Sequence, residues 1–302
     1  MKKDMNPTSK MATLWVLMAG CLWGTMGIFV RIFETMNLTS MQMVQIRSSI
    51  TAVLGILVVL LWKPSMLKIR VKDAWCFIGT GIFSMVFFNF CYFSAIQKLD
   101  ISVAAALLYT APVFVCLLSN FLFGERITRR HVVCMGLVLL GCVLVSNIRL
   151  NETNWSIIGV VLGIGAGIGY AFYSVFSRYA LQKGYHPVTI ILYTFIFACV
   201  GGAFFVNPIS LVPLVLSPNT GLLCILYALA TTLLPYFFYT TGLTYLENSR
   251  ASMLAAIEPV TAAFLGIICF KEIPSVLEFG GIILILVGIK ILNAAKTESS
   301  SS

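Results

Sequence analysis

The chain has 302 residues, of which 59% are hydrophobic and only 10% charged, with a mean hydropathy of +0.97. A soluble domain carries roughly a quarter charged residues, so this composition excludes one and calls for an integral membrane protein. The net charge of +9 does not point to nucleic acid, because the basic residues sit in short loops between apolar runs, where orientation in a membrane accounts for them.

A helix needs about 20 apolar residues to cross a bilayer, and ten such segments follow one another: 12–33, 40–62, 74–97, 101–123, 129–148, 155–179, 187–206, 220–244, 250–270 and 275–293. The first is read as a membrane helix and not as a cleavable signal, since no small-x-small site stands close behind it. Ser40 and Thr128 are candidate N-caps, and Ser275 with Glu278 forms a capping-box pattern after Pro274. The loop 207–219 holds three prolines and no charge. The serine-rich tail from Lys296 is polar enough to be expected disordered. Almost nothing is left for a soluble domain, so function must reside inside the bundle or at its mouths.

With the N-terminus inside, fifteen of the twenty Lys and Arg residues become cytoplasmic, Lys2, Lys3, Lys63, Lys68, Arg70, Lys72, Arg129, Arg130 and Lys296 among them. Only Arg31, Lys98, Arg149 and Lys271 fall outside, and Arg47 lies within a helix. That bias predicts cytoplasmic termini in a cytoplasmic-membrane protein.

The chain also repeats itself. Residues 147 apart match over most of the length: Gly20 with Gly167, Arg31 with Arg178, Tyr92 with Tyr239, Leu99 with Leu246, Ser102 with Ser249, Pro112 with Pro259, Glu125 with Glu272 and Gly141 with Gly288. Two copies of one unit are the reading, with boundaries at 1–148 and 149–295 and a tail at 296–302. Each unit has five helices, and an odd number makes the second copy enter the membrane upside down. The expected fold is therefore all-α, ten transmembrane helices as two inverted five-helix repeats, an arrangement that suits secondary transport because the halves can exchange conformations.

Two ionisable residues lie deep. Arg47 is roughly 10 Å into the second segment at 1.5 Å per residue, and Glu258 is at similar depth in the ninth from the other side. The gap between them is one an arginine could largely span, so direct pairing, or pairing through substrate or water, stays open. Neither is duplicated, since Arg47 corresponds to Thr194 and Glu258 to Ala111. Arg47 reads equally as a substrate-binding or coupling residue and as a structural one that bonds backbone carbonyls or snorkels to the interface, whereas an intramembrane carboxylate is read first as a substrate or proton site. Pro112, Pro235 and Pro259 sit mid-helix and each removes an N–H, either as packing kinks or as breaks lining a gate. Asn89 and Tyr92 in the third segment correspond to Tyr236 and Tyr239 in the eighth, and Tyr109 and Tyr170 join them. Packed or interfacial tyrosines are the plain alternative to a pocket wall. Gly20-x-x-x-Gly24 and Gly163-x-x-x-Gly167 mark close helix contacts. Glu125-Arg126 and Lys271-Glu272 read as boundary charge pairs at helix ends.

The nine cysteines fall inside apolar runs with no Cys-x-x-Cys pair and are read as small packing residues; no disulfide, metal or cofactor is expected. An intramembrane enzyme would want paired aspartates, a His-Glu-x-x-His or a serine beside a histidine, whereas His131, His186, Asp4, Asp73 and Asp100 all lie near segment ends. No catalytic residue is assigned.

Ten helices in two repeats, Trp23-Gly24 in the first helix, Arg47 in the second and a thirteen-residue Pro-to-Glu spacing in both halves (Pro112 to Glu125, Pro259 to Glu272) together resemble the EamA-type family of the drug/metabolite transporter superfamily. The resemblance covers nearly the whole chain. It implies export of small metabolites, amino acids or drugs through a cavity between the halves, with Glu258-Pro259 at the family's Glu-Pro position and Trp23 beside the path. Tyr170-Ala171 departs from the family's Trp-Gly or Trp-Ala pair. The partners implied are a small-molecule substrate, membrane lipid and, at Glu258, protons, and a monomer is a workable unit. A flippase for lipid-linked groups and a passive channel are the alternatives.

Overall fold

The computed structural model describes residues 9–148 and 156–294. The tail 296–302, and Lys2, Lys3, Arg149 and Lys296 from the orientation count, lie outside the described residues. Ten helices follow in order: α1 (Ser9–Glu34), α2 (Ser40–Trp62), α3 (Val71–Ile96), α4 (Ile101–Phe123), α5 (Arg129–Val145), α6 (Ile157–Gln182), α7 (Pro187–Gly202), α8 (Pro218–Leu243), α9 (Asn248–Phe270) and α10 (Val276–Ala294). Among the described residues, eight are long and apolar enough to cross a membrane, while α5 with 17 residues and α7 with 16 are shorter. Large side chains such as Leu61, Phe121 and Ile268 stand exposed around the bundle, the pattern of helices solvated by lipid instead of water.

Local chemistry sets the helix ends. The α2 cap is Thr39 and not Ser40, because Gln42 answers three residues on: its backbone N–H donates to Thr39 Oγ1 at 3.3 Å and its side chain accepts from the Thr39 N–H at 2.8 Å. Thr128 caps α5 through the His131 N–H. Ser275 and Glu278 form the reciprocal pair before α10, at 2.6 and 3.2 Å. The proline loop 207–219 is not extended; it winds into two short helical pieces, Pro208–Leu211 and Val212–Leu216.

Packing joins the two units more than it separates them. Helix α3 lies on α6 as α8 lies on α1, α4 on α6 as α9 on α1, and α2 on α8 as α7 on α3, while α5 packs on α10 and α2 on α7. A clamp ties the α2–α3 loop to the α6–α7 loop. Asp73, fully buried, accepts from Arg70 Nε at 2.7 Å and Tyr185 Oη at 2.8 Å, and Lys183 Nζ lies 2.8 Å away. The hydrogen bond with Asp73 raises the Lys183 ammonium above its ordinary pKa. All nine cysteines are free thiols.

The middle of the bundle is irregular in a paired way. Helix α4 is interrupted at Tyr109–Thr110 and resumes at Ala111; α9 is interrupted at Ala256–Ile257 and resumes at Glu258, the corresponding position. Pro112 and Pro259 fall in the first turn of the resumed segments, where the missing N–H has no carbonyl to lose. Pro235 acts differently: a π-helical stretch, Leu229–Leu233, absorbs it. Helix α3 has a π stretch at Gly79–Val86 with no proline at all. Both broken helices end in left-handed residues, Gly124 (φ 68°) and Lys271 (φ 56°).

Helix α1 approaches the α9 break closely because Gly24 has no side chain there. A Cβ at Gly24 would lie 2.6 Å from Thr261 Cβ and 2.8 Å from the Glu258 carbonyl oxygen. Van der Waals packing is what holds helices together in lipid, so Gly24→Val is expected to destabilise the fold by about 1–3 kcal/mol through overpacking. A lowered thermal-unfolding midpoint in detergent is the readout; an unchanged midpoint would mean that the α1–α9 seam is loose.

Candidate functional site

The breaks in α4 and α9 meet at the centre. Glu258 is the first residue of the resumed α9 segment, half-buried, and it makes no hydrogen bond or ion pair with the described residues. It lines a void of about 20 Å³ with Tyr109, Tyr170, Cys142, Ser252 and Pro112. That is about the room one water needs. As the start of a helical segment it stands at the positive end of the local dipole, which favours negative charge.

Above this void the bundle opens. A cavity of about 400 Å³ runs from Tyr109 and Pro259 to one end of the bundle, between α1 (Gly24, Ile28, Arg31), the start of α4 (Ile101, Ser102, Ala105) and the end of α9 (Ala262, Gly266, Glu272). Its mouth carries Arg31, Glu272 and Glu278.

The predicted aromatic residues converge on the other flank of Glu258. Trp23 meets Tyr236, Tyr239 and Tyr170 edge-on or tilted, with ring centroids at 5.2, 5.4 and 6.1 Å. Phe88 links Tyr170 to Tyr92, each at 6.0 Å. Edge-to-face contacts of this kind hold rings in defined orientations. The hydroxyls are mostly occupied: Tyr239 Oη pairs with Ser174 Oγ at 2.7 Å, and Tyr236 Oη donates to Met85 Sδ at 3.3 Å. Tyr236 and Tyr239 are therefore buried packing behind the site and line neither the void nor the cavity, whereas Tyr109 borders both.

Arg47 does not pair with Glu258. One Nη donates to Asn89 Oδ1 at 3.1 Å, and Asn89 Nδ2 in turn donates to the Met85 carbonyl at 2.6 Å. The side chain is buried, and its Nε has no partner. The distance in sequence between Arg47 and Asn89 hid this contact.

The boundary pairs are also corrected. Glu125 does not hold Arg126; its carboxylate accepts from the backbone N–H of Asn248 at 2.8 Å and of Ser249 at 3.0 Å, and from the Ser249 hydroxyl. Glu272 pairs with Arg31 and not with Lys271. Cys142 and Ser252 carry no signal of a site in the sequence, because cysteine and serine inside apolar helices are ordinary packing residues, and Ser102 stands out there only as part of the repeat.

The fold of two interlocked five-helix units has known counterparts. The model of the EamA-like transporter family matches residues 10–147 and again 157–294. The chain belongs to the EamA-like transporter family. It is thus a multi-pass membrane protein of a transporter family. This EamA-like chain is 27% identical to an uncharacterized transporter of Archaeoglobus fulgidus, over 91% of its own length and 94% of the relative's. It is equally 27% identical to an uncharacterized transporter of Bacillus subtilis, over 96% of each chain. A protein named as a probable amino-acid metabolite efflux pump of Escherichia coli is 23% identical over 71% of this chain and 75% of that one. A crystal structure superposes with a TM-score of 0.75 at 21% identity, covering 94% of this chain and 96% of the other, which extends the likeness of fold.

Proposed function

We propose that the protein is a secondary transporter that exports a small metabolite of the amino-acid kind across the cytoplasmic membrane, with both termini on the cytoplasmic side. It carries its substrate unchanged. The observation that carries this reading is Glu258 at the α9 break, unpaired among the described residues, beside a cavity that reaches one end of the bundle. A carboxylate inside a membrane without a protein partner costs free energy that only a function repays, and interrupted helices at the midplane are where transporters bind.

Glu258 suits an ammonium group or a proton, Arg47 and Asn89 suit a carboxylate, and the Tyr170 ring, backed by Trp23, Tyr92, Tyr236 and Tyr239, suits an apolar side chain. The two helix interruptions after Tyr109 and Ala256, with Pro112 and Pro259 in the turns that follow, supply the bending points, and the π stretch before Pro235 supplies another. Closure at the Glu125 end, where Asn248 Nδ2 donates to Ser119 Oγ at 3.1 Å, favours alternating access over a channel, which needs a path open at both ends. The relative named for amino-acid metabolite efflux supports the substrate class and the direction. One chain holds both repeats, so a monomer in lipid is a sufficient unit, and proton exchange at Glu258 is the coupling we propose.

Counterflow in proteoliposomes tests this. Vesicles loaded with unlabelled amino acids and their derivatives, one class at a time, are expected to accumulate the labelled compound transiently for one class. Uniform leakage of all compounds without trans-stimulation would establish a channel; movement of a lipid-linked group alone would establish a flippase.

A further inference from the structure

The two ends of the bundle are built from the same parts in two different states. At one end, the left-handed turn at Gly124 delivers the Glu125 carboxylate onto the first amides of α9, where Glu247 supplies no side-chain cap. Arg178 braces that junction, donating through Nε to Asn248 Oδ1 at 2.9 Å and through an Nη to the Leu246 carbonyl. At the other end the left-handed turn at Lys271 presents Glu272, but the carboxylate stays half-exposed on Arg31, whose guanidinium lies 4.0 Å over the Phe270 ring. The start of α4 stands away across the cavity. Asp100 gives it no side-chain cap, and Ile101 is 66% exposed, whereas its counterpart Asn248 is fully buried.

Most parts of the docked junction are present at the undocked one: Glu272 for Glu125, Ser102 for Ser249, Arg31 for Arg178, the Leu99 carbonyl for that of Leu246, and a left-handed residue before each glutamate. Two parts differ. Ile101 replaces Asn248 and Gly266 replaces Ser119, so the side-chain bonds of Asn248 to Ser119 and to Arg178 have no equivalent. Those unduplicated bonds hold only the docked end.

We propose that Glu125 and Glu272 are alternating latches, one docked while the other is free: in the second state Glu272 takes the backbone N–H groups of Ile101 and Ser102 and the Ser102 hydroxyl, Arg31 moves to the Leu99 carbonyl, and Glu125 leaves α9. The exchange deepens the transport reading, on which it rests for its purpose but not for its geometry. A carboxylate accepting two amides and a hydroxyl at a helix start is a strong, directional contact, and removing one from only one state shifts the balance between the two.

Amide hydrogen exchange of the full chain in lipid nanodiscs, without substrate, tests the latches independently of flux. The Asn248 and Ser249 amides lose their acceptor only in the second state. Glu272→Gln and Ser102→Ala are therefore each expected to slow their exchange by about tenfold, the effect of weakening one charged hydrogen bond, although both substitutions lie at the opposite end of the bundle. Glu125→Gln is expected to speed exchange at Asn248 and Ser249 and to protect Ile101 and Ser102. Because Glu272 and Ser102 are partly exposed and Ser102 touches no carboxylate in the present state, those two variants retain the fold even where Glu125→Gln does not. Unchanged exchange at Asn248 and Ser249 in both Glu272→Gln and Ser102→Ala would overturn the proposal and leave the counterflow result untouched.

Discussion

Glu258→Gln is expected to lower substrate counterflow by about 10- to 100-fold, the loss of one charge-assisted contact to a bound group, without lowering the thermal-unfolding midpoint. The midpoint part of the prediction follows from geometry. Glutamine has the shape of glutamate, and the carboxylate makes no hydrogen bond with the described residues that the change could break. Removing a charge from the middle of a membrane protein is neutral or favourable for stability unless a partner is stranded. A midpoint that falls while counterflow persists would make Glu258 a structural residue. The proton-coupling reading has its own arm: under an imposed pH gradient, the wild type is expected to accelerate net flux while Glu258→Gln does not respond. Equal responses in the two proteins would exclude coupling through this carboxylate.

Arg47→Lys is expected to raise the KM for a carboxylate-bearing substrate by at least about tenfold while kcat changes less, because lysine keeps the charge but not the planar fork. The guanidinium commits one Nη to Asn89 and leaves Nε unpartnered, so donors remain for a ligand. A buried donor without an acceptor carries a cost, and a substrate carboxylate would remove it. Losing the Asn89 contact is worth only about 1–3 kcal/mol in stability, which the lysine ammonium can partly recover. If Arg47 only braces the α2–α3 contact, the variant will instead lose midpoint with KM unaltered.

Much of the fold was legible in the chain. Ten apolar segments, the offset of 147 residues and the capping residues gave helix positions within a few residues, because membrane helices satisfy every backbone group within themselves and their lengths follow the bilayer. Pro112 and Pro259 pointed to the two helix interruptions, which fall two to three residues before them, and Glu125 and Glu272 to the two helix ends. Less could be read for the site. Trp23, Tyr170, Tyr236 and Tyr239 were individually ordinary aromatic residues, and only the crossing of α1, α6 and α8 brings their rings together. The Arg47–Asn89 bond joins two helices at positions that no periodicity links. The π stretch of α3 has no proline to announce it and arises where that helix packs on α6 and α7.

The amino-acid sequence by itself determined that this is a membrane bundle of two opposed copies and that a carboxylate stands at one break without a duplicate. Those are properties of composition and of a constant spacing, which survive whatever the helices do. Which glutamate is docked, which end is open and what Arg47 touches were decided only by the tertiary structure. The sequence supplies both ends with nearly the same donors and acceptors, and the docked end is held by a few long-range side-chain bonds, those of Asn248 to Ser119 and Arg178, that form only when distant helices meet.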